Sequence, residues 1–234
     1  MERLVSAMAE MNDSFNEVTA EMLKVISDYD SVTGFQGAYN IRQDSMCAGR
    51  KNSENITIES KTDKPGINIR VKPGTKGETV YIPACVTHSN VDDLVYNDFF
   101  IGDGADVTIV AGCGVHSDGS ETARHNGIHR FFLEKGAKVL YKEKHIGTGK
   151  GTGLRRIDPV TDAYLKEDSY LEMDTVQLRG VDRTTRSTSA VLDKGAKIVV
   201  RERIMTDGDE DAVTKFKVEL NGCLLYTSPS PRDR

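Results

Sequence analysis

Tryptophan is absent from this chain of 234 residues, and aromatic residues make up only 6% of it. An interior built on large rings is therefore excluded, and we expect Val, Ile, Leu and Ala to fill the core. The formal net charge is −5, and the charged residues are spread along the whole chain without a concentration of one sign. This distribution offers no electrostatic footprint for nucleic acid or for an anionic membrane, so we expect neither as a partner.

Long apolar runs are missing as well. No stretch of about 18 or more apolar residues occurs, so no membrane-spanning helix is predicted. Residues 1–4 read Met-Glu-Arg-Leu and lack the basic start and apolar centre of a signal peptide. Only four cysteines are present, a sparse set that argues against a disulfide framework. We therefore expect reduced thiols and a cytoplasmic location.

The last segment, residues 223–234, does not continue the pattern that precedes it. From Cys223 to Asp233 it resembles the in-frame translation of a transposase-based sequencing adapter. We expect this segment to be non-native and the biological sequence to end near Gly222, so it is set aside for fold reasoning. The cysteines that remain are Cys47, Cys85 and Cys113.

Apolar residues recur at steps of three or four in the first part of the chain, which is the period of an amphipathic helix. They are Leu4, Met8, Met11, Phe15, Val18, Met22 and Ile26. We predict one helix over residues 1 to about 30, within an N-terminal helical segment 1–33. Because methionine mainly fills gaps in cores, this stripe predicts packing against the rest of the protein rather than a recognition surface.

After Gly34 the apolar pattern changes to period two, as in half-buried strands, and a short turn motif recurs. Glycine suits a corner that needs positive φ, and the β-branched residue that follows starts a strand. The copies are Gly104-Ala105-Asp106-Val107, Gly136-Ala137-Lys138-Val139, the weaker Asp168-Ser169-Tyr170-Leu171, and Gly195-Ala196-Lys197-Ile198. Regular repetition predicts an all-β parallel β-helix over residues 34–222. Coincidental hairpin turns in an antiparallel sandwich are the alternative.

Four potential metal ligands lie between the first two copies of this motif: Cys113, His116, His125 and His129. Thiolate and neutral imidazole both bind borderline metals, so the cluster predicts a metal site. His125 and His129 are an even number of residues apart, so on one continuous strand they share a face. The alternative is a buried cysteine near a strand end with three satisfied or exposed histidines.

From about Gly34 to Gly222 the chain resembles the core of the SufB/SufD family, the scaffold subunits of the sulfur-mobilisation machinery that assembles iron–sulfur clusters. The matching segments are Gly37-Ala38-Tyr39-Asn40-Ile41-Arg42, Val80-Tyr81-Ile82-Pro83, the stretch from Gly104 to Cys113, and His125 ahead of Glu134-Lys135-Gly136-Ala137-Lys138-Val139. The Gly-Cys strand ending after a Gly-Ala-x-Val turn is the most specific of these.

The resemblance implies a right-handed parallel β-helix that acts as a non-catalytic scaffold rather than an enzyme. It implies a SufC-type ATPase, a second SufB/SufD-type subunit as homo- or heterodimer, and a cysteine desulfurase as sulfur donor. Cys113 is then the residue that accepts sulfur and His125 its pocket neighbour, whereas His116 and His129 rest on proximity in sequence alone. A thiolate suits this role because it is both a nucleophile for sulfane sulfur and an iron ligand.

The chain departs from the family because it lacks the last strands, the ATPase-docking domain and the late Cys, His and Glu cluster. It thus resembles a fragment cut inside the β-helix, and SufB is not separated from SufD. We expect a transient iron–sulfur cluster in the full complex and none stably bound to this fragment. A carbohydrate-active or purely structural β-solenoid is the alternative, and the carbohydrate reading ranks lower because Phe and Tyr look scattered and no acidic cluster is evident.

Overall fold

The computed structural model describes residues 14–30 and 33–222, and these are nearly all β with one helix. The predicted tail, residues 223–234, lies outside the described residues. The elements are α1 (Glu17–Ile26), β1 (Ala38–Gln43), β2 (Met46–Lys51), β3 (Ile56–Ser60), β4 (Gly66–Val71), β5 (Lys76–Val86), β6 (Asp92–Ile101), β7 (Asp106–His116), β8 (Ala123–Leu133), β9 (Lys138–Thr148), β10 (Arg155–Ile157), β11 (Val160–Leu165), β12 (Tyr170–Gln177), β13 (Arg183–Leu192), β14 (Lys197–Ile204) and β15 (Asp211–Leu220).

The strands form two sheets, and from β4 to β10 and again from β11 to β15 successive strands alternate between them. The first sheet has the strand order β14-β12-β9-β7-β5-β1-β2, and the second has β10-β13-β11-β8-β6-β4-β3 with β15 on β13. The hairpins β1–β2 and β3–β4 are antiparallel, whereas the later neighbours pair in parallel. The chain is therefore a β-solenoid of about five turns. The predicted parallel β-helix is confirmed, and the antiparallel sandwich is wrong.

The repeated motif forms the turns that lead from the second sheet to the first. Its first residue has positive φ in each copy: 60° at Gly104, 66° at Gly136, 58° at Asp168 and 72° at Gly195. Two residues further on, the copies are ladder partners, from Asp106 to Lys138, Tyr170 and Lys197. Asp168 takes the conformation of the glycines, so the weak third copy is a true repeat.

Helix α1 covers only Glu17–Ile26 of the range predicted to be helical. Asn16 caps its start, because the side-chain oxygen accepts a hydrogen bond from the Thr19 amide at 2.9 Å. The helix ends at Ser27, and residues 1–13 lie outside the described part of the chain. No helix in residues 14–30 and 33–222 is long and apolar enough to cross a membrane.

The helix packs on the outer face of the first sheet, against β5, β7 and β9. Two outward glycines on β7 allow this approach. A Cβ on Gly112 would lie 2.5 Å from the Ile26 carbonyl oxygen, and one on Gly114 would lie 2.4 Å from the Met22 sulfur. Met22 and Ile26 are buried there. In this stretch the methionine stripe serves core packing, as predicted.

The interior of the solenoid has an apolar cluster beside the corner turns, a polar band next to it, and a smaller apolar cluster at the opposite edge. Beside the corner turns, the inward side chains of each coil are apolar, such as Val107 and Ile109 on β7 and Phe131 and Leu133 on β8. The polar band consists of the buried side chains Asp93, Cys113, His125, His129, Glu143, His145 and Arg186. This band holds the candidate site.

Candidate functional site

Cys113 lies on β7 and points into the solenoid, with 4% of its surface exposed. It pairs in the parallel ladder with Ala84 on β5 and with His145 on β9. Its direction follows from strand alternation, because the flanking Gly112 and Gly114 face outward beneath the helix. The Gly-Cys-Gly sequence therefore serves helix packing on one face and presents a thiol on the other.

A carboxylate and an imidazole from β9 join this thiol. Donor atoms of Cys113, Glu143 and His145 lie within 4.8 Å of one another. Arg186 on β13 donates from Nη1 to Glu143 Oε2 at 2.8 Å and from Nη2 to His145 Nδ1 at 3.3 Å. A guanidinium cannot accept a hydrogen bond, so His145 Nδ1 is the acceptor and its neutral ring carries the proton on Nε2. Nε2 lies 3.3 Å from Glu143 Oε1. This arrangement, here called the thiol cluster, is a polar network rather than a set of free metal ligands.

Burial sets the protonation of the thiol cluster. Burial, followed by the negative charge of Glu143, raises the pKa of Cys113 well above its ordinary value. Burial also lowers the pKa of His145, so this ring is neutral near pH 7. For Glu143, burial favours a higher pKa, but His145 and Arg186 outweigh it and hold that pKa well below its usual range. At neutral pH the cluster thus contains a protonated thiol, a carboxylate, a neutral imidazole and a guanidinium.

His125 and His129 lie on β8, and both are buried on its inward face, as their even spacing predicts. His125 Nδ1 lies 3.1 Å from Asp93 Oδ2 on β6. Burial opposes ionisation of Asp93, but hydrogen bonds from His125 and Arg42 outweigh it and hold the pKa of Asp93 below its usual range. Since Asp93 is then a carboxylate and can only accept, His125 Nδ1 carries the proton.

His129 has the same proton arrangement through a different partner. Its Nδ1 lies 3.1 Å from the Tyr141 hydroxyl, which donates its own proton to Glu143 Oε1 at 2.8 Å. The hydroxyl therefore accepts from His129 Nδ1. Burial lowers the pKa of His129 to about 4, so this ring is neutral near pH 7 with Nε2 unprotonated. His125 and His129 are called the histidine pair below.

A cavity of about 240 Å³ reaches both groups. Cys113, His125 and His129 line its deeper part, and half-buried Cys47 lines it among the residues of the two hairpins. The volume exceeds the roughly 30 Å³ share of one water molecule. Besides the two histidines, the basic residues that line the cavity are Arg42, Arg50, Lys61 and Lys64. No Asp or Glu of the described residues lines it.

The structure separates His116 from the other predicted ligands. Cys113 and His116 are an odd number of residues apart on one strand, so they face opposite sides of β7. His116 is half-buried on the outer side and lies 2.9 Å from the Thr148 hydroxyl through Nδ1. A single site with Cys113, His116, His125 and His129 is therefore not formed inside the solenoid.

Three aromatic rings that look scattered in the sequence form a ladder on the outer face of the second sheet. Phe100 stacks on Phe132 at 5.1 Å between centroids, and Phe132 stacks on Tyr164 at 5.2 Å. Arg70 covers the other face of this stack at Phe100, 4.3 Å from the ring centroid. The expectation of scattered rings is thus wrong. This ladder nevertheless adds little support for the hypothesis of sugar binding. The ring faces that would stack on a sugar contact one another instead.

Sequence reasoning missed Asp93, Tyr141, Glu143, His145 and Arg186. A signal for Asp93 and His145 existed, since the 32-residue step that separates Asp93 from His125 also leads from Cys113 to His145. Arg186 follows a shorter step of 27 residues, as in the bond from Thr184 to Ile157, because β12 has 8 residues where β7 and β9 have 11. No pattern in the sequence indicates that this coil is shorter.

Comparison of the sequence with models of known protein families and with curated proteins finds no match. The fold and the site therefore establish only a class of protein. It is a β-solenoid with a buried thiol, imidazoles and a carboxylate in a polar band of its interior. Any narrower assignment is a proposal.

Proposed function

We propose that this chain is a non-catalytic scaffold subunit of iron–sulfur cluster assembly that accepts sulfur on Cys113. In this proposal it works in the cytoplasm with a SufC-type ATPase, a second SufB/SufD-type subunit and a cysteine desulfurase. The cluster is cargo, passed on after assembly. The resemblance of residues 34–222 to the SufB/SufD family supports this reading, and the observation that carries it is the inward Cys113 thiol on the lining of the cavity.

Sulfur uptake at Cys113 is an exchange between two sulfur groups. The Cys113 thiolate attacks the terminal sulfur of a donor persulfide, and a new S–S bond forms at Sγ while the S–S bond of the donor breaks. The donor leaves as a thiolate and takes up the proton that Cys113 released. Sulfane sulfur is transferred without net oxidation, so no further reactant is needed.

The charge of the cavity lining favours this kind of donor. Persulfides and hydrosulfide are largely anionic at neutral pH, and the cavity lining carries Arg and Lys side chains without any Asp or Glu. Basic walls around a cavity of low dielectric concentrate anions. Arg50 and Lys64, which lie near the hairpins, are half-buried and available to this effect.

Deprotonation of Cys113 is the demanding step. Burial and Glu143 raise the pKa of the thiol, so the reactive thiolate is a minor species in the closed thiol cluster. Glu143 is the carboxylate within reach of the proton, because its oxygen lies within 4.8 Å of Sγ. The proposal therefore requires slow sulfur uptake that becomes faster when the pH rises.

Cluster assembly in a reconstituted complex tests the proposal. A full-length parent that contains residues 34–222 is co-expressed with a SufC-type ATPase and a second SufB/SufD-type subunit, and iron and acid-labile sulfide are measured in the purified complex. We expect Cys113→Ser to remove both while circular dichroism shows an unchanged β-rich fold. Cys85→Ser is the matched control, because Cys85 is also buried but packs beside α1 and does not line the cavity. Normal iron and sulfide in Cys113→Ser would refute the assignment.

A further inference from the structure

We propose that the histidine pair, His125 and His129, is a binding site for a divalent first-row transition-metal ion such as Fe²⁺, Co²⁺ or Zn²⁺. The proposal does not depend on sulfur chemistry at Cys113. It rests on the hydrogen-bond partners of the two Nδ1 atoms, on the position of both Nε2 atoms beside Gly127, and on the access of both rings to the cavity.

Both rings are held in the tautomer that a metal ligand requires. His125 donates from Nδ1 to the Asp93 carboxylate, and His129 donates from Nδ1 to the Tyr141 hydroxyl, which in turn donates to Glu143. Histidines that bind metals commonly donate their other ring N–H to a carboxylate, which fixes ring orientation and strengthens the donor nitrogen. Here one contact is direct and the other passes through a hydroxyl.

Both Nε2 atoms lie close to the inward face of Gly127. Gly127 lies between the histidines on the same inward face of β8, and a Cβ there would lie 2.6 Å from His129 Nε2 and 3.3 Å from His125 Nε2. Within residues 14–30 and 33–222, neither Nε2 donates or accepts a hydrogen bond. The two Nε2 atoms thus lie on either side of one point, and both residues line the cavity.

Three charged groups near the histidine pair are bound to an oppositely charged partner. Asp93 behind His125 is bound by Arg42, and Glu143 behind Tyr141 is bound by Arg186. Lys61 on the cavity lining is bound to Asp98. Neutral imidazoles suit iron, zinc and related ions, and two protein ligands leave the other coordination positions to water or small anions from the cavity.

Cobalt(II) is the probe, because its visible spectrum reports the ligand geometry directly. The intact chain is titrated with Co²⁺ under anaerobic, reducing conditions, and Zn²⁺ is then added as a competitor. We expect one equivalent of Co²⁺ to bind and to be displaced by Zn²⁺. His125→Ala and His129→Ala should each weaken binding at least about tenfold, and Asp93→Asn should weaken it about 10- to 100-fold because it changes the partner of a ligand.

Gly127→Ala tests the placement of the two rings beside Gly127 without removing either imidazole. Its methyl group would displace His129 Nε2, so we expect a loss of at least about tenfold in affinity with an unchanged circular dichroism spectrum. His116→Ala is the matched control, since that ring lies on the outer face of β7. Cys113→Ser should also keep the affinity, because Cys113 groups with Glu143 and His145 rather than with the pair. This variant separates the metal site from sulfur uptake.

Nitrogen-15 NMR of the histidine side chains gives a readout that does not depend on affinity. We expect the Nδ1–H tautomer at both His125 and His129 in the metal-free chain, and a shift of both Nε2 resonances when Zn²⁺ is added. Equal Co²⁺ affinity in the wild type and the Gly127→Ala and His129→Ala variants would overturn the proposal. So would Nε2–H tautomers at both rings, or a loss of affinity in Cys113→Ser or His116→Ala.

Discussion

Cys113 on β7 and His145 on β9 are direct partners in a parallel ladder, and both side chains point into the solenoid. This pairing places a thiol that is only 4% exposed next to a neutral imidazole and the Glu143 carboxylate. A thiol in such surroundings resists ionisation, because the thiolate would be poorly solvated and lie near a negative charge. The reactivity of Cys113 is therefore the first property to measure.

Alkylation by iodoacetamide should modify half-buried Cys47 before Cys113. The rate at Cys113 should rise about tenfold per pH unit between about pH 7 and pH 9, because the thiolate stays the minor form throughout that range. Mass spectrometry of the alkylated sites at several times gives both rates. A rate at Cys113 that levels off below about pH 9 would contradict the raised pKa.

Arg186→Met should destabilise the protein strongly. The change leaves the Glu143 carboxylate buried without its cationic partner, and breaking a buried ion pair in this way costs about 3–5 kcal/mol. Urea unfolding at pH 7 measures the loss. The double variant Glu143→Gln/Arg186→Met should lose less than the sum of the two single variants, because no unpaired charge remains. Additive losses would show that the two residues are not coupled.

The sequence predicts the solenoid well because its signals are local. The glycine corners at Gly104, Gly136 and Gly195 each need positive φ, and the β-branched or alanine residues beside them fix the strand starts. Parity along β8 likewise predicts that His125 and His129 share a face. The same parity separates His116 from Cys113, so that part of the predicted ligand set was inconsistent with strand geometry.

The thiol cluster is harder to predict, because its members come from different coils. His145 and Glu143 lie next to Cys113 because of the register between β7 and β9. A constant number of residues per coil reveals that register when the coils have equal length. Arg186 belongs to a coil of different length, so the same step does not locate it. Its hydrogen bond to Glu143 depends on side-chain packing inside the solenoid. The helix shows the same limit, since Asn16 starts it by a hydrogen bond that the apolar stripe does not encode.

Gly112→Ala should cost more stability than Gly114→Ala, although both new methyl groups would press on α1. At position 112 the methyl meets the Ile26 backbone carbonyl, whereas at position 114 it meets the flexible Met22 side chain. We expect a loss of about 1–3 kcal/mol for the first variant and less for the second. Thermal unfolding of the pair, prepared identically, measures the difference. The reverse order would mean that α1 is not held at Ile26.

Asp98 should give the protein part of its resistance to acid. Burial raises the pKa of this carboxyl, but hydrogen bonds from Arg130 and Lys61 outweigh it and lower the folded pKa. A carboxyl with a lowered folded pKa stabilises the protein above its unfolded pKa of about 3.9, and this contribution is lost as the pH falls through the folded value.

Asp98→Asn should therefore lower the unfolding free energy by about 2 kcal/mol at pH 7, where hydrogen bonds to a charged group are lost. The variant should also lose less stability than the wild type when the pH falls from about 5 to about 2.5. Urea titrations at these two pH values test this point. Parallel losses in both proteins would show that Asp98 does not titrate with folding.

Site-resolved mapping of transferred sulfur distinguishes sulfur acceptance at Cys113 from transfer to another thiol. The chain is incubated anaerobically with a cysteine desulfurase and isotopically labelled cysteine, then digested, and fragment-ion mass spectrometry separates Cys113 from Cys85. We expect one labelled sulfur atom on Cys113 in the wild type and in Cys85→Ser, and none in Cys113→Ser. Label confined to Cys47 or Cys85, or undiminished in Cys113→Ser, would contradict sulfur acceptance at Cys113.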